Sequence, residues 1–248
     1  MQKYLSSLLI VLAIAGCTPK KWVLTQSESY KIPINSTLDP ISDKNMEAFI
    51  APFKKNLDKE MEQVVGYSAQ EMKPEKPESL LSNWTADVYL ETGIDYLKQP
   101  VDMAVVNVGG LRTSIPKGKI TVRNIFELMP FENELVLLWL QGNDVDDLIQ
   151  GFAKEGGQGV SGVRFDIKGG QAENITIQGM PIDFSKIYIV ATNDYLAGGN
   201  DKMTPLLNAK KRMNTELKIR DVLMVKIIRE NKAGEKIESQ LDGRIKVL

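Results

Sequence analysis

The sequence contains no histidine and a single cysteine. Neutral imidazole is the commonest metal ligand in proteins and the commonest general base near neutral pH. Its absence argues against zinc-type hydrolytic sites, histidine-assisted serine or cysteine nucleophiles and histidine-rich dinuclear metal centres. Magnesium sites built from carboxylates alone stay compatible with the sequence. Because Cys17 is the one cysteine in the sequence, no intramolecular disulfide is possible.

An excess of basic charge is missing as well. The 248 residues include 31 lysines and arginines and 32 aspartates and glutamates, and the formal net charge at pH 7 is −1. Nucleic-acid-binding surfaces normally carry a clustered basic excess, so no nucleic-acid partner is expected. Apolar residues make up 43% of the chain, which is ordinary for a globular protein with a sizeable core.

An apolar run at residues 5–15 follows Lys3 and is too short for a permanent transmembrane helix. The small residues Ala15 and Gly16 directly before Cys17 resemble a bacterial lipobox. We therefore expect a lipoprotein signal peptide at residues 1–16, lipid attachment at Cys17, and a tether with an extended segment at residues 17–40. The absence of acidic residues just after Cys17 favours a periplasm-facing anchor on a bacterial membrane. The alternative is an ordinary secretory signal followed by a chance cysteine.

Hydrophobic spacing predicts a helix that begins at Ser42 and ends at Gly66, because apolar residues recur at intervals of three and four. Further helices are predicted at residues 79–93, 121–128 (capped by Thr121), 143–153 (capped by Asn143) and 216–229. Strands are predicted at residues 103–108, 134–140, 163–167, 175–178, 187–192 and 244–248, with a flexible connector at residues 156–159. This irregular order favours an α+β fold with a layered mixed β-sheet over a doubly wound fold.

Three loop segments carry residues suited to a binding site, and loops on a rigid scaffold are where such sites usually lie. The first leaves a predicted buried strand with Asn107, turns on Gly109 and Gly110, and presents Arg112. Glycines let a backbone approach a ligand closely, and a guanidinium suits phosphate or carboxylate. Taken alone, the segment fits a strand-ending turn with a surface arginine better.

The second loop segment contains Phe131 and Asn133, and the third contains Tyr195, Gly199 and Asp201. Taken alone, the second segment fits ordinary partial burial of Phe131, and the third fits a strand-ending loop. Together with the first segment they offer two rings for a flat heterocycle, a carboxylate for sugar hydroxyls and an arginine for phosphate. Stacking of a base on an aromatic ring contributes about 1–3 kcal/mol. These are the parts that a nucleotide site needs.

In this order and at these distances, the motifs "NVGGLR" (107–112), "PFEN" (130–133) and "NDYLAGGND" (193–201) resemble the C-terminal domain of the 5'-nucleotidase family. The segments "VVGYS" (64–68) and "ESLLSNWTAD" (78–87) are similar to the opening of that domain. The resemblance runs from about residue 41 to residue 225. It implies a 5'-nucleotidase C-terminal-like domain at residues 41–248 that binds the nucleoside part of a nucleotide.

The resemblance also implies roles for individual residues. Phe131 and Tyr195 would form two walls around the base, Asn107 would touch the base, Asp201 would bind the ribose hydroxyls, and Arg112 would reach toward the phosphate. The remaining residues that the resemblance places in the substrate-binding site are Gly109, Gly110, Asn133 and Gly199.

Two positions depart from the family pattern. Pro77 stands where the family usually has a second phosphate-directed arginine, and Asn200 stands where glycine commonly precedes the aspartate. The first change weakens the expectation of phosphate binding more than that of nucleoside binding.

Full-length members of the family place a calcineurin-like metallophosphatase domain before this one, and several histidines help to hold its two metals. We find no room for that domain between Cys17 and Ile41, and no histidine to supply its ligands. The resemblance therefore implies the lipid-anchored recognition subunit of a split 5'-nucleotidase in nucleotide catabolism, with no catalytic residue, metal ligand or cofactor of its own. Divalent metals are expected in a separately encoded metallophosphatase partner. The alternative is a lipoprotein that binds nucleosides or nucleotides without catalysis.

Overall fold

A computed structural model describes residues 22–38 and 43–248; Cys17 and the predicted signal peptide lie outside the described residues. The α-helices are α1 (Lys44–Met61), α2 (Leu80–Leu97), α3 (Val122–Leu128), α4 (Gly142–Lys154), α5 (Asp194–Ala197) and α6 (Ile219–Lys232). The strands are β1 (Val64–Ser68), β2 (Met103–Val106), β3 (Gly118–Thr121), β4 (Glu134–Gln141), β5 (Gly159–Ser161), β6 (Val163–Lys168), β7 (Gln171–Ile177), β8 (Met180–Pro181), β9 (Ile187–Asn193), β10 (Lys211–Lys218) and β11 (Ile245–Val247). Short 3-10 turns are formed by Ser36–Leu38, Val108–Gly110 and Thr204–Asn208.

The backbone divides into two compact units between Ile50 and Ala51. In the first unit, residues 22–34 are exposed and contain no regular element. The second unit contains the strands of all three sheets. The division falls inside α1, so the predicted domain limits at residues 17–40 and 41–248 stay predictions. None of the helices in the described ranges combines the length and the apolar character of a transmembrane span.

A five-stranded mixed sheet with strand order β10-β4-β9-β2-β5 forms the centre of the second unit. On β4, Leu135 and Leu137 belong to an apolar cluster with residues of α2, α3 and α6. Val136 and Leu138 belong to a second cluster with residues of α4 and of the four-stranded sheet β11-β6-β7-β8. Successive residues of a strand point to opposite faces, so the apolar run of β4 contributes side chains to both clusters. The prediction of an α+β fold with a layered mixed sheet is confirmed.

The first predicted helix extends too far. α1 ends at Met61, and the following residues form β1, which pairs antiparallel with β3. Gly66 lies in this strand and is not a helix stop. Glycine is needed there because β1 packs closely on α6: a Cβ at Gly66 would lie 2.5 Å from Ile227 Cγ2. Val65, predicted as helical, is a buried strand residue of the core.

The second predicted helix is too short. α2 begins after Ser79, whose side chain accepts a hydrogen bond from Ser82 N, but it continues past Gly93 to Leu97. Gly93 is buried against the central sheet, where a Cβ would lie 3.1 Å from Leu137 Cδ2. The glycine therefore serves close packing and does not end the helix.

Other element boundaries also differ from the predictions; β7, for example, begins at Gln171 and not at residue 175. The chain leaves β2 at Val106, two residues early, and enters a 3-10 turn. Asn143 is not a helix cap, since α4 already begins at Gly142 with Gln141 in the capping position. The last helix begins at Ile219 because the preceding residues complete the antiparallel pairing of β10 with β4.

Candidate functional site

Three chain segments meet at one edge of the central sheet. β2 and β9 are parallel neighbours, with Met103 opposite Val190, so their carboxyl ends lie at the same edge. β4 runs antiparallel to β9, with Leu135 opposite Asn193, and so its amino end reaches that edge too. The loop after β2, the loop before β4 and the loop after β9 therefore converge, at the kind of crevice where α/β sheets usually bind ligands.

A cavity of about 400 Å³ lies between these loops. It is lined by Asn107, Gly109, Gly110, Arg112, Met129, Phe131, Asn133, Asn193, Tyr195 and Asp201. The structure thus brings together every predicted substrate-binding residue except Gly199. Phe131 and Tyr195 are 42% and 44% exposed, so both aromatic side chains keep surface that a ligand can cover.

Asp201 is the centre of hydrogen bonding in the cavity. Asn107 Nδ2 donates to its Oδ2 at 2.6 Å, and the Tyr195 hydroxyl donates to its Oδ1 at 3.0 Å. The hydrogen bond to Asp201 and the charge of that carboxylate raise the pKa of Tyr195. The phenol therefore stays protonated as the donor, and Asp201 links the loop after β2 to the loop after β9.

Glycine at position 110 makes room for the Asn107 side chain. A Cβ at Gly110 would lie 2.7 Å from Asn107 Oδ1, a distance that real Cβ atoms do not reach. Asn107 is 7% exposed, so its amide group is held among neighbouring atoms and is not free to turn in solvent. Gly110 thus serves the packing of a polar side chain that donates to Asp201, whereas a Cβ at Gly109 would meet nothing within 4 Å.

Arg112 joins the loop after β2 to the end of α3. Its backbone N–H donates to Leu128 O at 3.0 Å, and its Nη1 donates to Gly109 O at 3.1 Å. Its side chain is exposed and supplies the cation of the cavity wall. Pro77 is not at this wall; it packs against Gly157, where a Cβ would lie 2.4 Å from Pro77 O.

Gln158 supports the site from behind the cavity. It is 7% exposed, and its Oε1 accepts a hydrogen bond from Val108 N at 3.0 Å. Gly159 already belongs to β5 and pairs with Val106. The prediction of a flexible connector at residues 156–159 is therefore wrong for its second half, because burial and strand pairing fix these residues.

The loop that carries Tyr195 is closed by its own side chains. Asn193 caps α5, since its Oδ1 accepts a backbone hydrogen bond from that helix at 2.8 Å. Asn200 Nδ2 donates to Tyr195 O at 2.7 Å, so the residue that replaces the family glycine bonds the loop to the backbone of Tyr195. Gly199 has a φ of 77° and packs on Leu207, so it turns the chain without lining the cavity.

The segment with Phe131 is fixed by the start of α6. Asn133 O accepts a hydrogen bond from Ile219 N at 2.9 Å, and Arg220 forms an ion pair with Glu132. The hydrogen bond and the charge of Arg220 lower the pKa of Glu132. Because these contacts hold the two residues that follow Phe131, its ring stands on an anchored backbone.

Met129 and Asn193 line the cavity but are absent from the sequence-based prediction. Asn193 belongs to the same quoted motif as Tyr195, and its place between a strand and Asp194 is a signal for a helix cap. Met129 precedes the Phe131 segment, and its sequence position is typical of a buried apolar residue. In the structure its side chain is indeed only 3% exposed. Nothing in its local sequence distinguishes a core methionine from one at a cavity wall.

Within residues 22–38 and 43–248, no group of three or more acidic, histidine or cysteine side chains is arranged to share a metal ion. In the cavity, Asp201 is paired with an amide and a phenol. These residues do not fit the dinuclear centre that the family places in its metallophosphatase domain.

Comparison with known proteins gives consistent matches. A family model described as "5'-nucleotidase, C-terminal domain" matches residues 62–208. Protein UshA of Escherichia coli (strain K12) is 33% identical over 119 residues, which cover 46% of this chain and 22% of that protein. The NAD 5'-nucleotidase of Haemophilus influenzae is 30% identical over 131 residues, which cover 45% of this chain and 22% of that protein.

A solved structure of a 5'-nucleotidase precursor from Thermus thermophilus superposes with a TM-score of 0.71 and 28% identity. The superposition covers 82% of this chain and 43% of that one, so this chain spans less than half of its structural relative. The region of the family match contains all of the residues that line the cavity. Because the match extends over more than half of the sequence, this chain belongs to the family of 5'-nucleotidase C-terminal domains.

Proposed function

We propose that this chain recognises a nucleoside or nucleotide in the cavity at the sheet edge. The base lies between Phe131 and Tyr195, the ribose hydroxyls bind Asp201, Asn107 contacts the base, and Arg112 reaches toward the phosphate. The observation that carries this proposal is that two aromatic side chains, a carboxylate and a guanidinium from three separate loops line one cavity.

The size and the chemistry of the cavity support a nucleoside-sized ligand. Its volume of about 400 Å³ is within the range of small-molecule sites, which is roughly 300–1,000 Å³. Exposed aromatic rings bind nucleobases by stacking, and this stacking depends little on which base is bound. The relatives of this chain, a 5'-nucleotidase precursor and an NAD 5'-nucleotidase, favour a nucleotide as the substrate class.

We assign the hydrolytic step to a separately encoded metallophosphatase chain that holds the divalent metals. The motivating feature is a sequence without histidine, the ligand on which dinuclear hydrolytic centres of this family depend.

In this proposal a lipid on Cys17, which lies outside the described residues, tethers the chain to a bacterial membrane on the periplasmic side. When cells are grown with labelled fatty acid, we expect the wild-type protein to take up the label and the Cys17→Ser variant to lack it. Equal labelling of the wild-type protein and the variant would contradict the anchor.

The binding proposal is tested by thermal unfolding of the mature chain with adenosine and AMP in the presence of a metal chelator. A ligand that binds only the folded state raises Tm as its concentration increases. We expect both compounds to raise Tm without added metal. Unchanged Tm across nucleosides and nucleotides of all bases would contradict nucleotide recognition.

The hydrolytic arrangement is tested by mixing the chain with the metallophosphatase encoded nearest to it. The split enzyme predicts release of phosphate from AMP that needs both chains and a divalent metal. Binding of nucleosides without any phosphate release from the mixture would instead support the non-catalytic lipoprotein.

Arg112→Ala is expected to weaken AMP binding by roughly fivefold, the scale of an exposed ion pair, and to leave adenosine binding nearly unchanged. The reason is that the partner of Arg112 is the phosphate, which adenosine lacks. Calorimetric titration with the two ligands measures the difference. Arg212→Ala is a matched control, since Arg212 is exposed on β10 and does not line the cavity. Equal losses for AMP and adenosine would contradict the assignment of Arg112 to phosphate.

A further inference from the structure

Both carboxylate oxygens of Asp201 are engaged by the protein itself. Asn107 approaches Oδ2 and the Tyr195 hydroxyl approaches Oδ1, so each oxygen has one donor. An ionised carboxylate offers about four acceptor positions, two on each oxygen. One position on each oxygen is thus left for a ligand, and the two lie side by side on one rigid group.

Two adjacent acceptors match a ligand with two adjacent donors. The vicinal 2'- and 3'-hydroxyl groups of a ribose are such a pair, and each can donate to a different oxygen of Asp201. A 2'-deoxyribose or a 3'-deoxyribose supplies one donor and leaves one acceptor unsatisfied. Hydrogen bonds to charged groups are worth more than those between neutral groups, so the missing donor costs affinity.

The orientation of the Asp201 carboxylate depends on two donors that differ in character. Asn107 is buried and is packed against Gly110, so its amide is fixed by the core side of the cavity. Tyr195 is 44% exposed and holds the carboxylate from the solvent side. Terminal torsions of aspartate have broad energy wells, so a single hydrogen bond leaves the carboxylate free to swing. The second bond, from the Tyr195 hydroxyl, removes that freedom.

The Tyr195 hydroxyl is itself placed by the closed loop. Asn193 caps the helix that bears Tyr195, and Asn200 donates to the Tyr195 carbonyl oxygen. Asp201 follows Asn200 directly, in a left-handed conformation with a φ of 53° that turns the chain back toward the ring. The ring and the carboxylate therefore belong to one short, internally bonded turn.

We infer that Tyr195 determines sugar specificity: its hydroxyl, by fixing the Asp201 carboxylate, makes the cavity select ligands with an intact ribose cis-diol over deoxyribose. This inference rests on the proposed binding of nucleosides in the cavity. Toward the sugar, Tyr195 is a positioning residue, since its hydroxyl acts through Asp201, whereas its ring contacts the base directly.

The test compares the wild-type protein with Tyr195→Phe, which keeps the ring and removes the hydroxyl. Calorimetric titrations with adenosine, 2'-deoxyadenosine and 3'-deoxyadenosine give the discrimination ratios. We expect the wild-type protein to bind adenosine roughly tenfold more tightly than either deoxynucleoside. In Tyr195→Phe we expect both ratios to fall to about two- to threefold, with the loss concentrated on adenosine.

Tyr96→Phe is the matched control, because Tyr96 is 43% exposed on α2 and does not line the cavity. It is expected to keep the wild-type ratios. An unchanged ratio in Tyr195→Phe overturns the positioning role, and a wild-type protein that binds all three ligands equally overturns recognition of the diol. Failure of the wild-type protein to bind adenosine at all contradicts the proposed function instead, so the two failures are distinguishable.

Discussion

Alanine in place of Phe131 or Tyr195 is expected to raise the Kd for adenosine by roughly 5- to 150-fold in each variant. This range corresponds to the contribution of about 1–3 kcal/mol that one stacked base makes with an aromatic side chain. Both residues line the cavity, and more than a third of the surface of each is exposed and available to a base. Isothermal titration calorimetry with adenosine, without metal, measures the change.

Phe184→Ala is the matched control for the loss of an exposed aromatic ring. Phe184 is 51% exposed and does not line the cavity, so the affinity for adenosine should stay at the wild-type value. If the two rings cover the two faces of one base, the variant that lacks both rings binds more weakly than either single variant. Wild-type affinity in both Phe131→Ala and Tyr195→Ala would remove stacking from the proposal.

Arg244→Ala is expected to lower the free energy of unfolding by about 3 kcal/mol. Arg244 is 8% exposed; its Nη1 donates to Asp87 Oδ1 at 2.8 Å and to Val160 O at 2.7 Å, and its Nε donates to Asp242 Oδ1 at 3.0 Å. Breaking a buried ion pair typically costs roughly 3–5 kcal/mol, because one charge is left without its partner. The Asp87 side chain is 49% exposed, so water compensates in part and the low end of the range applies.

The corresponding fall in Tm is roughly 6–12 °C for a domain of this size, which thermal unfolding followed by circular dichroism measures. Arg164→Ala is a closely matched control, since Arg164 pairs with the same Asp242 but is 52% exposed. Its loss should cost less than about 1 kcal/mol. Equal destabilisation by the two substitutions would show that burial does not set the strength of this ion pair.

The sequence predicts the cavity residues through the ordered set of three motifs, because each loop segment taken alone fits an ordinary turn or a partly buried ring. Asn107 and Asp201 are polar residues in loops that directly follow elements of the core, and Phe131 lies outside any periodic apolar pattern. What the sequence does not contain is the parallel pairing of β2 with β9, which brings together residues separated by about ninety positions in the chain. The order of the strands arises from the packing of the whole sheet, and no local pattern in the sequence encodes it.

Two glycines explain the errors in the first two predicted helices. Gly66 and Gly93 look like helix stops in the sequence, and each instead allows a close approach to a neighbouring element, α6 in one case and the central sheet in the other. A glycine that ends a helix and a glycine that permits tight packing have the same local signature. Their neighbours in space distinguish them, and those neighbours come from distant parts of the chain.

The pairing of β4, β9 and β2 at one edge has a consequence for amide hydrogen exchange. Because the loops that form the cavity wall extend from the ends of three adjacent central strands, opening any one of these strands dismantles the cavity. A ligand bound there is released before these strands can exchange through unfolding. Deuterium uptake should therefore slow along the whole length of Ile187–Asn193 when the ligand binds, including the end remote from the contact.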